Sequence, residues 1–170
     1  GLDPGLFTII ESVGEKEAAE TAVSLTRSGE ADIAMKGLVG TDKFLRAVMD
    51  KERGLLPPGA VMSYVCAVEI PAYHKLLFIT DTAVIAFPDL SQKVAMAEYA
   101  ITMASRLGIE KPRVALIGAS EKVSSHFPGT LDYEIMCRMA GQGQISSCVM
   151  DGPVDLFLAC DPESVRIKGI

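Results

Sequence analysis

The amino-acid sequence predicts an α/β fold in which helices flank a mostly parallel sheet that also carries one β-hairpin. Apolar, β-branched runs alternate with segments of helical periodicity along all 170 residues, the pattern of strands joined by crossover helices. Two of these runs, 61–70 and 75–81, are separated by only four residues, too few for a crossover helix. This pair is therefore predicted to form an antiparallel hairpin.

The first third of the chain is predicted to contain two strands and two helices. Apolar runs indicate strands at 6–11 and 31–35. Ser12, with Glu15 three residues later, has the pattern of a capping box that opens a helix ending at Gly29. The second helix is predicted to begin at a cap residue, Thr41 or Asp42. Its apolar positions recur at helical spacing: Phe44, Leu45 and Val48.

The clearest helical pattern follows the hairpin. Asp89 and Gln92 signal its start, apolar residues recur on one face, and Gly108 ends it. A strand, a helix and a final strand are predicted after it, at 113–119, about 130–140 and 145–151.

Composition excludes several classes of function. The chain has 16 basic and 22 acidic residues and no tryptophan, and its net charge of −6 comes without a Lys/Arg cluster, so nucleic acid is not an expected partner. No apolar run approaches the ~18 residues of a membrane span, and the N-terminus lacks a signal pattern. A cytoplasmic protein without a membrane partner is expected.

The sequence gives no pattern for a metal or a tightly bound cofactor. His74 and His126 lack a paired ligand spacing. The four cysteines lie far apart in apolar segments, without a C-x-x-C pair, and are predicted to be reduced core thiols: Cys66, Cys137, Cys148 and Cys160.

Polar residues collect where the predicted strands end. In open α/β sheets ligands bind beyond the carboxyl ends of the strands, so these residues are candidates for a binding cleft. Any single set of loop charges is also compatible with a solvated surface. The candidates are Lys36, Gly37, Asp81, Thr82, Ser120, Glu121, Lys122, Asp151 and Gly152.

The junction after the second predicted strand has the features of an anion site. A helix start offers unpaired N–H groups and the positive end of a dipole. Gly37 lets the backbone approach closely, and Lys36 adds a positive charge. Neither G-x-G-x-x-G nor G-x-x-x-x-G-K-[ST] is present, so the common nucleotide motifs give no support. Glu121 and Lys122 are equally compatible with an internal ion pair.

Several blocks together resemble the phosphate acetyltransferase and phosphate butyryltransferase family. They occur in the family's order and cover most of the chain: ADIAMKGLVGTDKFLRAVMDKERGL, LLFITDTAVIAFPDLSQKVAMAEYAI, RVALIGASEKV, PGTLDYEIMCRMAGQGQI and MDGPVDLFLA. Glu121-Lys122-Val123 stands where acetyltransferases typically have an S-T-K-G-S loop, and P-G-T-L-D resembles the butyryl-type P-x-T-x-D. The sequence is thus similar to the butyryltransferase branch.

The resemblance implies exchange of a short acyl group, butyryl-like or acetyl, between coenzyme A and inorganic phosphate. Acyl-CoA, phosphate and acyl phosphate are then substrates or products. It also implies a two-domain architecture similar to isocitrate and isopropylmalate dehydrogenases, with a cleft and a homodimer. Lys36, Gly37 and the Thr41 helix start are assigned to anion positioning. The other substrate-binding candidates are Asp81, Ser120, Glu121, Lys122, Thr130, Asp132, Asp151 and Gly152, of which Asp151 and Gly152 also fit a purely structural turn.

Family members extend in both directions and carry their catalytic serine, arginine and aspartate in a final S-R-x-D-S-like block. That block is absent from the 170 residues, so the chain is expected to be mainly one α/β domain, the central portion of an acyltransferase, and inactive alone. No catalytic residue is assigned. One alternative is a non-catalytic coenzyme A or anion-binding module. Another is an NAD(P)-dependent hydroxyacid dehydrogenase, for which Asp151 and Asp155 have D-x-x-x-D spacing interrupted by Gly152-Pro153.

Overall fold

The chain forms two compact units in a computed structural model that describes residues 3–71 and 73–169. The first unit is Gly1–Ala60 and the second is Val61–Ile170. Each unit has its own cluster of buried apolar side chains.

The first unit is helical. A 3-10 turn at Pro4–Leu6 precedes helix α1 (Glu15–Ser28) and helix α2 (Thr41–Val48). The two helices pack through Ala19 and Val23 of α1 and Ala47 of α2. The predicted capping box at Ser12 is not formed, because α1 begins after Gly14 and the Glu17 side chain instead accepts the N–H of Val13 at 2.6 Å. The predicted end of α1 is confirmed, with Gly29 in the left-handed region at φ +80°.

The strands predicted at 6–11 and 31–35 are not formed. Apart from Leu6, which ends the 3-10 turn, both segments lack regular secondary structure, and within residues 3–71 and 73–169 neither has a hydrogen-bonded strand beside it. Their apolar side chains lie in solvent, with Ile9 88% and Met35 87% exposed. A β-branched run becomes a strand only where a neighbour supplies the ladder partners, which sequence pattern alone does not reveal.

The predicted hairpin is confirmed. Strand β1 (Val65–Val68) pairs antiparallel with β2 (Leu77–Thr80), with Cys66 opposite Ile79. Both strands are shorter than the apolar runs that contain them. Ala72, in the connection between the runs, lies outside the described residues.

The remaining elements alternate as predicted, with shifted boundaries. Helix α3 (Leu90–Arg106) has the predicted capping box, in which Asp89 and Gln92 cap each other. Strand β3 (Arg113–Ile117), helix α4 (Pro128–Gly141) and strand β4 (Val149–Val154) follow. Two short helices that were not predicted come last, α5 (Leu156–Cys160) and α6 (Pro162–Lys168). Strand β4 starts four residues later than the predicted 145–151, because Ile145 packs into the core and pairing with β3 begins at Val149.

Strands β3 and β4 are parallel, with Ala115 opposite Asp151. The described residues therefore contain two separate strand pairs, one antiparallel and one parallel, in place of a single mostly parallel sheet. The main core lies against β3. It joins α3, α4 and the segment before β4 through five buried side chains: Ala97, Ile101, Leu116, Met136 and Ile145.

Candidate functional site

The carboxyl ends of β3 and β4 meet at one edge. The N–H of Gly118 donates to the carbonyl of Val154 at 3.0 Å, directly after β3 ends at Ile117. The 118–127 loop starts at this edge and leads into α4. Because ligands of open α/β sheets bind beyond the carboxyl ends of the strands, the binding groups of the second unit are expected at this edge.

Ser120 and Lys122 lie on the 118–127 loop, at this edge. The Ser120 hydroxyl accepts the backbone N–H of Lys122 at 3.2 Å, so the two residues share one tight turn. The Lys122 ammonium forms no ion pair with any residue in 3–71 or 73–169. A cation without a carboxylate partner beside a hydroxyl can hold an anion.

Thr130 fastens the end of the 118–127 loop to α4. Its side chain is buried, with 3% exposed, and its hydroxyl accepts the Ser124 N–H at 2.9 Å while donating to the Phe127 carbonyl at 2.7 Å. These contacts give the Thr130 hydroxyl an internal role in shaping the loop. A direct contact of Thr130 with substrate stays a prediction.

Asp132 is paired with a lysine that the sequence did not single out. The Lys93 ammonium, carried by α3, lies 2.5 Å from Oδ2 of Asp132 in α4, and the two side chains are 14% and 28% exposed. The same ammonium lies 5.6 Å from the centre of the Tyr133 ring. In the linear sequence Lys93 is one more polar residue on an amphipathic helix, and nothing there marks its partner across the fold.

Glu121 is held by Lys168 rather than by its neighbour Lys122. The Lys168 ammonium, at the end of α6, bridges the carboxylates of Glu121 and Asp155, and its distance to Asp155 Oδ2 is 2.7 Å. The hydrogen bond from Lys168, followed by the one from the Leu158 N–H, lowers the pKa of Asp155. The Asp155 carboxylate also caps α5. Asp155 is thus committed to internal contacts, which gives no support to a metal-binding role for the Asp151/Asp155 pair.

Asp81 accepts four hydrogen bonds at the end of β2. One carboxylate oxygen accepts from the Ser63 hydroxyl (3.0 Å) and the Tyr64 N–H (3.2 Å), and the other accepts from the N–H groups of Ala83 and Val84 (both 2.8 Å). Partial desolvation raises the pKa of Asp81, but the hydrogen bonds outweigh it and the pKa lies below its ordinary value. Asp81 therefore fixes the turn after β2.

Asp151 and Gly152 lie inside β4, because this strand continues to Val154. The Asp151 carboxylate accepts the N–H of Gly152 at 2.8 Å. At Gly152, φ is +154° and a Cβ atom would lie 2.6 Å from the Cβ of Leu116 in β3. The glycine is required by the close approach of the two strands, which supports the structural alternative for this segment.

In the first unit, the start of α2 already holds a carboxylate. Oε2 of Glu15 lies 2.5 Å from the Lys43 ammonium and accepts the Gly40 N–H at 3.2 Å. The hydrogen bond from Lys43, then that from Gly40, lowers the pKa of Glu15, and the charge of Lys36 adds to the effect. The Lys36 side chain is exposed. Within the described residues, the one hydrogen bond of its ammonium goes to the carbonyl of Gly37, at 3.3 Å.

The remaining features of the described residues contribute no further candidate for a catalytic or metal-binding group. No group of three or more His, Cys, Asp or Glu side chains in 3–71 and 73–169 is placed to hold a metal ion. The four cysteines are free thiols, and burial raises the pKa of Cys137 and of Cys148. None of the helices described there is both long and apolar enough to span a membrane. A polar groove of about 570 Å³, lined in part by Lys111 and Ser147, lies at the amino ends of β3 and β4, away from the edge described above.

The fold and this edge define an α/β protein with a lysine- and serine-bearing loop after a parallel strand. Residues 7–169 match the family model described as phosphate acetyl/butaryl transferase. The chain belongs to this family, which confirms the resemblance drawn from its motifs.

Named relatives and a solved structure agree with this assignment. The whole chain is 41% identical to the phosphate butyryltransferase of Clostridium acetobutylicum, of which it covers 56%. Over 99% of its length it is 37% identical to the phosphate acetyltransferase of Rhizobium meliloti, of which it covers 53%. The crystal structure of a branched-chain phosphotransacylase from Enterococcus faecalis V583 is similar to this fold, with a TM-score of 0.85 and 28% sequence identity. The match covers 98% of this chain and 59% of the phosphotransacylase chain. The chain therefore spans just over half the length of these relatives.

Proposed function

We propose that the protein is a phosphate acyltransferase that exchanges a short acyl group, butyryl-like or acetyl, between coenzyme A and inorganic phosphate. The observation that carries the proposal is the match along the whole chain to enzymes named phosphate butyryltransferase and phosphate acetyltransferase. Coenzyme A and its acyl thioester are substrates in this proposal, and no tightly bound cofactor takes part.

In this reaction a phosphate oxygen attacks the thioester carbonyl to form a tetrahedral intermediate, which collapses to the acyl phosphate as the C–S bond breaks and coenzyme A leaves as a thiolate that is then protonated. The reaction needs positive charge and N–H donors to hold the phosphate, and a donor for the developing oxyanion. At the carboxyl edge of β3, Lys122 supplies positive charge and the Ser120 hydroxyl supplies an O–H donor beside it. Lys36, with Gly37 and the start of α2 at Thr41, is assigned to phosphate positioning in the first unit.

The remaining expectations belong to the same proposal. The 170 residues are the central portion of a longer acyltransferase, which the coverage of 53% to 59% of its relatives supports. The complete fold is the mostly parallel, dehydrogenase-like one implied by the sequence motifs. The enzyme acts in the cytoplasm as a homodimer on small-molecule substrates.

Thiol release measured on the full-length protein tests the proposal. With butyryl-CoA or acetyl-CoA, free coenzyme A should form only when inorganic phosphate is present, and a Lys122→Met variant should show a higher KM for phosphate. Lys111→Met serves as the matched control, because Lys111 lies at the amino end of β3. A folded protein that binds coenzyme A but releases no thiol above background would favour the non-catalytic binding module instead.

A further inference from the structure

Two side chains in the first turns of α4 hold the two ends of the 118–127 loop. At the far end, Thr130 bonds to Ser124 and Phe127. At the near end, the Tyr133 hydroxyl donates to the carbonyl of Ile117 at 3.1 Å, where β3 stops. The position of α4 therefore determines the shape of the loop that carries Ser120 and Lys122.

Lys93 links this part of α4 to α3. Its ammonium is paired with Asp132 at 2.5 Å and lies 5.6 Å from the centre of the Tyr133 ring, a distance at which a cation is attracted to the aromatic face. One charge from α3 thus contacts two consecutive side chains of α4, one of which is bonded to the start of the loop.

Net stabilisation is a weak reason for keeping such a pair. Moving a lysine and an aspartate out of water costs free energy that their attraction only partly returns, and well-packed apolar side chains of similar volume often serve as well. An ion pair, however, requires one particular distance between the two charged groups, and in some proteins buried ionic groups fix the register of packed elements. The pair therefore suits a role in which α4 must keep one orientation.

We propose that Lys93 is a positioning residue of the acyl-transfer site. It acts through Asp132 and Tyr133 to fix α4, and thereby holds the 118–127 loop with Ser120 and Lys122 in the geometry that binds the substrate anion. This inference rests on the proposed function for its kinetic consequence. Its structural consequence, the ordering of the loop, is independent of that function.

The test compares four forms of the full-length protein: wild type, Lys93→Arg, the double variant Lys93→Met/Asp132→Leu, and Lys111→Met as a control. The double variant removes both charges together, so neither is left buried without a partner. Its melting temperature should stay near that of the wild type. Hydrogen exchange at the backbone amides of 118–127 should become faster, while exchange in β3 and β4 stays unchanged.

In the transfer assay, the double variant should lose on the order of 10²-fold in kcat/KM, the cost of misplacing binding groups by about 1 Å. Lys93→Arg keeps the charge and should retain most of the activity, and Lys111→Met should behave as wild type. A folded double variant with wild-type loop exchange and wild-type kinetics overturns the proposal. If the wild type itself transfers no acyl group, the proposed function fails, and the loop exchange alone decides whether Lys93 orders the loop.

Discussion

The Glu15 carboxylate lies 2.5 Å from the Lys43 ammonium, and the same oxygen accepts the Gly40 N–H at the start of α2. The helix start that the sequence predicts as an anion site therefore already contacts a negatively charged group supplied by α1. A phosphate bound there competes with Glu15, or it is held by Lys36 in the segment before α2.

Replacing Lys36 by methionine should weaken phosphate binding without unfolding the protein, because the side chain is exposed and forms no ion pair among the described residues. Loss of one charged contact to phosphate should raise the KM for phosphate about tenfold or more. Steady-state kinetics of the full-length enzyme measure this, with Lys16→Met on the exposed face of α1 as control. An unchanged KM for phosphate would rule out an anion-binding role for Lys36.

Replacing Glu15 by alanine should tighten phosphate binding in the first unit. Without the carboxylate, the Lys43 ammonium and the Gly40 N–H become available to an external anion. Calorimetric titration with inorganic phosphate should show a Kd lower by roughly twofold to fivefold, the scale of exposed charge interactions. Glu20→Ala, on the same helix, is the matched control. A Kd in Glu15→Ala that equals those of the wild type and of the control would show that the start of α2 is not a phosphate site.

Replacing Asp81 by asparagine should destabilise the second unit. An amide cannot accept all four hydrogen bonds, so at least one N–H donor loses its partner, at a cost of about 1–3 kcal/mol at neutral pH. Urea unfolding followed by circular dichroism measures the free energy of unfolding. Thr82→Val, at the next position and exposed, should stay within about 0.5 kcal/mol of the wild type.

The destabilisation by Asp81→Asn should depend on pH. The pKa of Asp81 is lower in the folded protein than in the unfolded chain, so its contribution to stability is present above the unfolded pKa of about 3.9 and is lost as pH falls through the folded value. The difference in free energy of unfolding between wild type and variant should therefore be constant from about pH 7 to 5 and shrink below about pH 4. A difference that grows in acid would contradict the lowered pKa of Asp81.

Replacing Thr130 by valine keeps the shape of a buried side chain and removes its hydroxyl. The Ser124 N–H and the Phe127 carbonyl then lose a partner, and the free energy of unfolding should fall by about 1–3 kcal/mol. Thr130→Ser, which keeps the hydroxyl, should be less destabilised. Equal stability of Thr130→Val and wild type in urea titrations would mean that the loop does not depend on this hydroxyl.

The full-length enzyme should prefer four- to five-carbon acyl groups to acetyl. Glu121-Lys122-Val123 and P-G-T-L-D resemble the butyryl type, and two further buried methylenes at about 0.8 kcal/mol each correspond to roughly tenfold in kcat/KM. Acetyl-CoA, butyryl-CoA and isobutyryl-CoA are compared at saturating phosphate. A kcat/KM for acetyl-CoA equal to or above the other two would contradict the butyryl assignment and leave the family assignment intact.

Local signals predicted the elements whose structure depends on nearby residues. The capping box of Asp89 and Gln92, the stop at Gly29 and the short hairpin connection are all encoded within a few positions, and the structure has each of them. The strand predictions at 6–11 and 31–35 failed because strand formation depends on a partner that is distant in sequence.

The same distinction holds for the candidate site. The sequence correctly indicated that Ser120 and Lys122 follow a strand, because strand ends can be read locally. It could not reveal that Glu121 pairs with Lys168, or Asp132 with Lys93, since these partners lie 47 and 39 residues apart. Long-range ion pairs leave no periodic pattern in a single sequence.

The crowding around Gly152 limits which residues can replace it. Because even a methyl group at this position would overlap both the side chain and the backbone carbonyl of Leu116, a smaller residue at 116 would not by itself make room for another side chain at 152. Gly141, at the end of α4, has nothing within 4 Å of its absent Cβ and carries no such restriction. The two glycines look alike in the sequence, yet a substitution should be tolerated at Gly141 and excluded at Gly152 by the neighbouring strand.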